Sequence, residues 1–190
     1  MSNIELYDKL IKCGYTDLWL PEMEFLMHDQ IEYRKHLWND TLYMDEMTVF
    51  AVDGYGNLFA WRDDDSVVFI DVGPQTCEVF SLNLADAIYR RIIEFSNGDY
   101  VEMCSNAEKS DADPEDAEYY TSEDDAIELL KQYLRTFGTL FSDEQRKHIE
   151  SFIHQGFLPD TDAFITEIDK MRIIREEIRV NDQEIISISR

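Results

Sequence analysis

The chain has 190 residues, 44% of them hydrophobic and 13% aromatic, and a formal net charge of -24 from 41 Asp and Glu against 17 Lys and Arg. That length suits one domain with a proper core, or a domain with an appendage, and the aromatic content separates it from acidic disordered chains. The charge works against nucleic acid, whose binding needs Lys and Arg to neutralise phosphates, and against anionic membranes.

The elements can be read in chain order. Ser2 to Cys13 predicts a short helix, with Ser2 as cap, Glu5 completing a capping box and Gly14 ending it. Leu18-Trp-Leu-Pro21 predicts a turn into a second helix with Pro21 at its first position, continuing through Phe25, Leu26, Ile31, Leu37 and Trp38. From Thr41 the pattern becomes short and β-prone: Thr48 to Val52, Leu58 to Trp61 and Val67 to Asp71. Asp53-Gly-Tyr-Gly-Asn57 and Arg62-Asp-Asp-Asp-Ser66 connect them. Connections this short favour an antiparallel meander, because parallel pairs need a long crossover. A further strand is expected from Thr76 to Phe80, after the Gly73-Pro74 turn.

Leu84, Ala87, Ile88, Ile92 and Phe95 recur at helical spacing, so a helix runs from about Asn83 to Phe95 and stops at Asn97-Gly98. A helix following the sheet, instead of alternating with each strand, makes the class α+β. Ser105 to Asp125 is strongly acidic and opens as a solvated loop. Ser122 then caps a helix with Ala126, Ile127, Leu130, Tyr133, Leu134 and Phe137 on one face, closed by Gly138. Ser142 with Gln145 is a second capping box, for a helix reaching Gly156. Pro159-Asp-Thr161 opens the last helix, carrying Phe164, Ile165, Ile168, Met171, Ile174 and Ile178. The tail from Lys170 is near neutral. The expected organisation is an α+β domain over residues 1–104, with an acidic loop and helical extension over 105–190 packed on the same domain.

The start of the chain has neither a basic region nor an apolar run behind it, and no segment has the apolar length of a membrane span. Cys13, Cys77 and Cys104 are odd in number and far apart, as suits thiols in a reducing compartment. The expectation is a cytoplasmic protein. The charge leaves two compatible readings open, solubility alone or attraction of a basic partner over a Debye length.

Motif by motif, the chemistry-bearing patterns fail. Gly54-Tyr-Gly56 lacks the third glycine of a dinucleotide fingerprint, since position 59 is Phe, and no helix follows; it reads as a turn. The Asp111-Ala-Asp-Pro-Glu-Asp run has Asp116 and Ser122 where a calcium loop needs Gly and a bidentate Glu. His28, His36, His148 and His154 have no ligand spacing, Gly-x-Ser-x-Gly does not occur, and Cys104 is in no nucleophile setting. No catalytic residue, metal or cofactor is expected. Trp61 ends an apolar strand and is assigned to the core.

The Asp53-Gly-Tyr-Gly-Asn-Leu-Phe-Ala-Trp61 segment and the following Val67-Val-Phe-Ile-Asp71 resemble the SUKH superfamily, also called the Smi1/Knr4 family. Cys77-Glu-Val-Phe80, the helix from Leu84 to Phe95, and Leu20-Pro21 ahead of Phe25-Leu26 are also similar to that family. The likeness spans roughly Trp19 to Phe95. The family's Asn-Gly-Gly after the early helix is missing, and residues 105–190 have no counterpart. The resemblance implies an α+β domain without catalytic activity. It also implies the role of many bacterial members, which look like immunity proteins that neutralise a cognate toxin, often a nuclease, by direct binding.

On that expectation the partner is a basic protein toxin. The candidate contact residues are Asp63, Asp64 and Asp65 at a hairpin tip, with Asp53 and Tyr55 beside them at one edge, combining steering with an aromatic anchor. The other reading is a regulatory or scaffold interaction domain of the same fold with no toxin, including a homo-oligomer formed through Phe164, Ile168, Met171 and Ile174.

Overall fold

The computed structural model describes residues 2–15, 18, 20–31, 38, 42–44, 47–98, 122–180 and 185–189. The chain divides into two compact units, Met1–Ile88 with Ile178–Arg190, and Tyr89–Glu177.

In the first unit, helix α1 (Asn3–Lys12) begins at the expected capping box. Ser2 Oγ accepts from the Glu5 N–H at 3.4 Å, and the Glu5 carboxylate accepts from the Ser2 N–H at 2.9 Å. Leu6, Tyr7 and Leu10 form its buried stripe.

The helix expected at Pro21 is not formed. Pro21 and Glu22 make a turn, and strand β1 (Glu24–Phe25) follows. Glu22 sits at φ 51°, a left-handed conformation that no helix can continue through. Phe25 then packs on Phe50 with ring centroids 5.9 Å apart. Residues 28–31 are helical, and so is Trp38. Trp19 and Leu37 lie outside the described residues.

Strands β2 (Met47–Val52), β3 (Leu58–Arg62), β4 (Val67–Asp71) and β5 (Thr76–Ser81) match the four expected runs. With β1 and the short β6 (Ile186–Ser187) they form one antiparallel sheet in the order β1-β2-β3-β4-β5-β6. The last strand comes from the C-terminal tail and pairs Ser187 with Thr76 and Ile186 with Cys77. The class is α+β, as the order of strands and helices predicts.

Both sheet faces are covered, which is why β3 reads Leu-Phe-Ala-Trp without polar alternation. One face carries Val49, Val52, Leu58, Ala60, Val68, Ile70 and Cys77, packed with Leu26, Leu42, Met44 and Ile188. The other is aromatic. Phe50 lies 5.1 Å from Trp61, Phe59 lies 5.2 Å from Phe80, and Tyr7 of α1 meets Trp61 at 5.5 Å. Trp61 is therefore in the core, as expected. Two register shifts, at Val49/Ala51 and at Val67/Val68, insert Phe50 and Phe80 as extra residues. Each bulge keeps an aromatic ring on this face while the flanking pairs stay in register.

Helix α2 (Leu84–Ser96) opens with the Asn83 side chain accepting from the Asp86 N–H at 2.9 Å. Leu84, Ala87 and Ile88 of its first turns belong to the first unit, and Tyr89, Ile92, Ile93 and Phe95 to the second, all buried. In the second unit, α3 (Glu123–Phe137) starts at the Ser122 cap and buries Ala126, Leu129, Leu130, Tyr133 and Phe137. Helix α4 (Asp143–Gln155) starts at the Ser142–Gln145 capping box and ends at Gly156, φ +72°.

The last helix does not start at Pro159. Leu158 donates to the Ala163 carbonyl at 2.7 Å, Thr161 donates to Leu158 at 3.2 Å, and Asp160 has φ 59°, so this stretch is a closed turn. Thr166 supplies the cap instead, accepting from the Asp169 N–H at 3.1 Å, and α5 runs over Glu167–Ile173. A π-helical segment, Ile174–Ile178, continues it. Phe164 and Ile165 are buried ahead of α5, whereas Ile168 is 81% exposed and Met171 is also exposed. The expected acidic loop over 105–121 lies outside the described residues.

Candidate binding surface

Asp53 and Tyr55 lie in the turn from β2 to β3. Asp53 Oδ1 accepts from the backbone N–H groups of Tyr55 at 2.9 Å and Asn57 at 2.8 Å, and its Oδ2 accepts from the Asn57 side chain at 2.8 Å. An aspartate that closes a turn on its own backbone in this way is an organiser of the loop. Asn57 in turn accepts from the Val72 N–H at 3.1 Å, and Glu22 accepts from the Gly54 N–H at 3.0 Å. Tyr55 projects from this braced tip and is 82% exposed.

Asp63, Asp64 and Asp65 form the turn from β3 to β4, and all three are exposed. Asp64 accepts from Ser66 Oγ at 2.6 Å and from the Ser66 N–H at 3.0 Å. These two bonds, the hydroxyl's first, hold its carboxyl below the usual aspartate value. Asp65 takes a left-handed φ of 65° and accepts from the Asn3 N–H at 3.3 Å, while its carbonyl accepts from Asn3 Nδ2 at 2.6 Å. Asp63 carries no such internal duty and is the most available carboxylate of the turn.

The two turns do not form one edge. They cap opposite ends of β3, whose five residues extend about 17 Å at roughly 3.3 Å per residue. Asp53 with Tyr55 therefore stands apart from Asp63, Asp64 and Asp65, because a hairpin reverses direction at each turn. What the turns offer are two separate, rigid, carboxylate-bearing tips, with an aromatic ring at one of them.

A different cluster, which the sequence did not advertise, sits in the second unit. Tyr89 of α2 donates its hydroxyl to Glu177 Oε2 at 2.9 Å, and His148 Nδ1 of α4 lies 2.8 Å from Glu177 Oε1. The Glu177 side chain is 12% exposed. Burial pushes its carboxyl above the ordinary value, and the nearby Glu144 adds to this, while the Tyr89 hydrogen bond and His148 pull the other way. The three residues are too far apart in sequence for any spacing rule to join them. The arrangement can hold or release a proton, but it presents no serine or cysteine to His148; Ser151 instead donates to the His148 carbonyl at 2.7 Å.

Among the described residues no group of three or more His, Cys, Asp and Glu is arranged to hold a metal ion. Cys13 is an exposed free thiol and Cys77 a buried one, and Cys104 lies outside the described residues. No helix among the described residues is long and apolar enough to cross a membrane. No protein-family model matches the sequence, and neither a curated protein nor a solved structure matches it.

Proposed function

We propose that this chain is a non-catalytic binding protein of the SUKH, or Smi1/Knr4, type, acting in the cytoplasm as an immunity protein that neutralises a basic cognate toxin by direct contact. The observation that carries this reading is the net charge of -24 on a folded, aromatic-rich chain. A surface of that sign accelerates encounter with a basic partner. If the toxin is a nuclease, acidic side chains can occupy the channel built for phosphates. The rigid turns support the reading in a second way. Asp53, Asp64 and Asp65 are already fixed by hydrogen bonds to backbone or side chain, so presenting them costs little ordering entropy.

The test is co-expression with the product of the adjacent upstream gene, scoring survival and co-purification. The expected result is rescue with a complex whose association slows as salt rises, and which Asp63→Lys weakens without unfolding the protein. No toxicity and no complex, or a complex indifferent to salt, overturns it. The exposure of Ile168 and Met171 on α5 favours the alternative of an interaction or scaffold domain that dimerises. Sedimentation of the wild-type chain beside Ile168→Asp separates the two readings.

A further inference from the structure

We propose that a groove at the turn end of the β4–β5 hairpin is the seat of an arginine side chain presented by the basic partner, an inference that rests on the function proposed above. The groove is lined by Phe69, Asp71, Thr76, Cys77, Glu78 and Ile185, with a volume of about 160 Å³. That is below the ~300–1,000 Å³ of small-molecule pockets and several times the ~30 Å³ of one water, a size for the end of one side chain. Its chemistry follows from register. Phe69 lies opposite Glu78, and Asp71 opposite Thr76. Cross-strand partners share a face, as do residues two apart on a strand, so an aromatic ring stands between a carboxylate on its own strand and one on the next. Phe69 is half-buried and braced by Phe59 at 5.1 Å, which makes it a fixed wall.

Both carboxylates are available. Asp71 Oδ1 accepts from the Gly73 N–H at 3.2 Å, leaving Oδ2, and neither Asp71 nor Glu78 forms an ion pair among the described residues. A flat cation suits an aromatic wall with two flanking carboxylates better than a compact ammonium does. A guanidinium stacks on the ring and directs its N–H fork to oxygens, whereas a lysine remains strongly hydrated.

The experiment is a titration of the full chain with capped L-arginine, followed by backbone amide shifts and repeated with capped L-glutamine. The proposal expects saturable shifts confined to residues 69–78 and 185, absent with glutamine, and weakened about tenfold in the shape-preserving D71N/E78Q variant, with E78Q alone as the milder second case. Shifts that do not saturate, that spread over other acidic turns, or that D71N/E78Q leaves unchanged overturn it. The titration needs no toxin, so failure to find a toxin complex leaves its outcome standing. A toxin complex whose affinity D71N/E78Q does not alter overturns the groove alone.

Discussion

Asn3 is 3% exposed, and both polar atoms of its side-chain amide are engaged. Its Oδ1 accepts from the Leu84 N–H at 2.9 Å and its Nδ2 donates to the Asp65 carbonyl at 2.6 Å, so one side chain ties the start of α1 to the β3–β4 turn and to the start of α2. Truncation would leave the buried Leu84 N–H unpaired and remove the donor to the part-buried Asp65 carbonyl. Asn3→Ala is therefore expected to cost about 2–4 kcal/mol of stability, read from the midpoint of urea unfolding. Glu177 gives a prediction in pH. Its folded pKa lies above the ordinary 4.5, so between those two values the folded state holds more protons than the unfolded one. Stability then falls as pH rises through that window. Glu177→Gln keeps the Tyr89 bond and removes the titration, so its unfolding midpoint should vary less with pH from 4 upward than that of the wild type. Asp64 has the opposite sign: its lowered pKa contributes above the ordinary value and is lost as pH falls through the folded one, weakly, since the group is exposed.

Among the elements, the helix starts were legible because their signals are local. Ser2 with Glu5, Ser122, and Ser142 with Gln145 each engage an N–H within three residues, so the cap and its target are read together. The two prolines misled for the same kind of reason. Proline suits a first helical position and a turn alike, and what distinguishes these two is the left-handed φ of Glu22 and Asp160, in turns closed by the Met23–Leu20 and Thr161–Leu158 backbone hydrogen bonds. Glycine positions separate backbone cost from packing cost. Gly56 has φ +85° with nothing within 4 Å of an added Cβ, whereas Gly98 has φ +91° and an added Cβ would meet the Ala163 Cβ at 2.9 Å. Gly56→Ala is expected to cost about 1–2 kcal/mol, the backbone term alone. Gly98→Ala should cost more, since the Ala163 backbone must also shift; thermal unfolding of the pair checks the order.

At the scale of the molecule, the return of the tail to the sheet matters most. Ile188 joins the sheet core beside Leu42 and Met44, its N–H donates to the Gln75 carbonyl at 2.8 Å, and its carbonyl accepts from Tyr43 at 2.8 Å. The last residues are thus part of the first unit's fold. Ile188→Ala should destabilise the protein by about 2–5 kcal/mol through the cavity it opens, while Ile185→Ala, at a 64% exposed position, should be close to neutral. Chemical denaturation of the two variants side by side tests this. The four central strand runs, the short turns between them, the helices opening at Ser2, Asn83, Ser122 and Ser142, and the charge were in the sequence, because each depends on residues a few positions apart or on composition alone. The return of residues 186–188 to β5, the two bulges that set Phe50 and Phe80 on the aromatic face, and the meeting of Tyr89, His148 and Glu177 were decided only by tertiary structure. Each of these depends on a partner distant in sequence, or on the pairing and packing of neighbouring strands, which no local signal specifies.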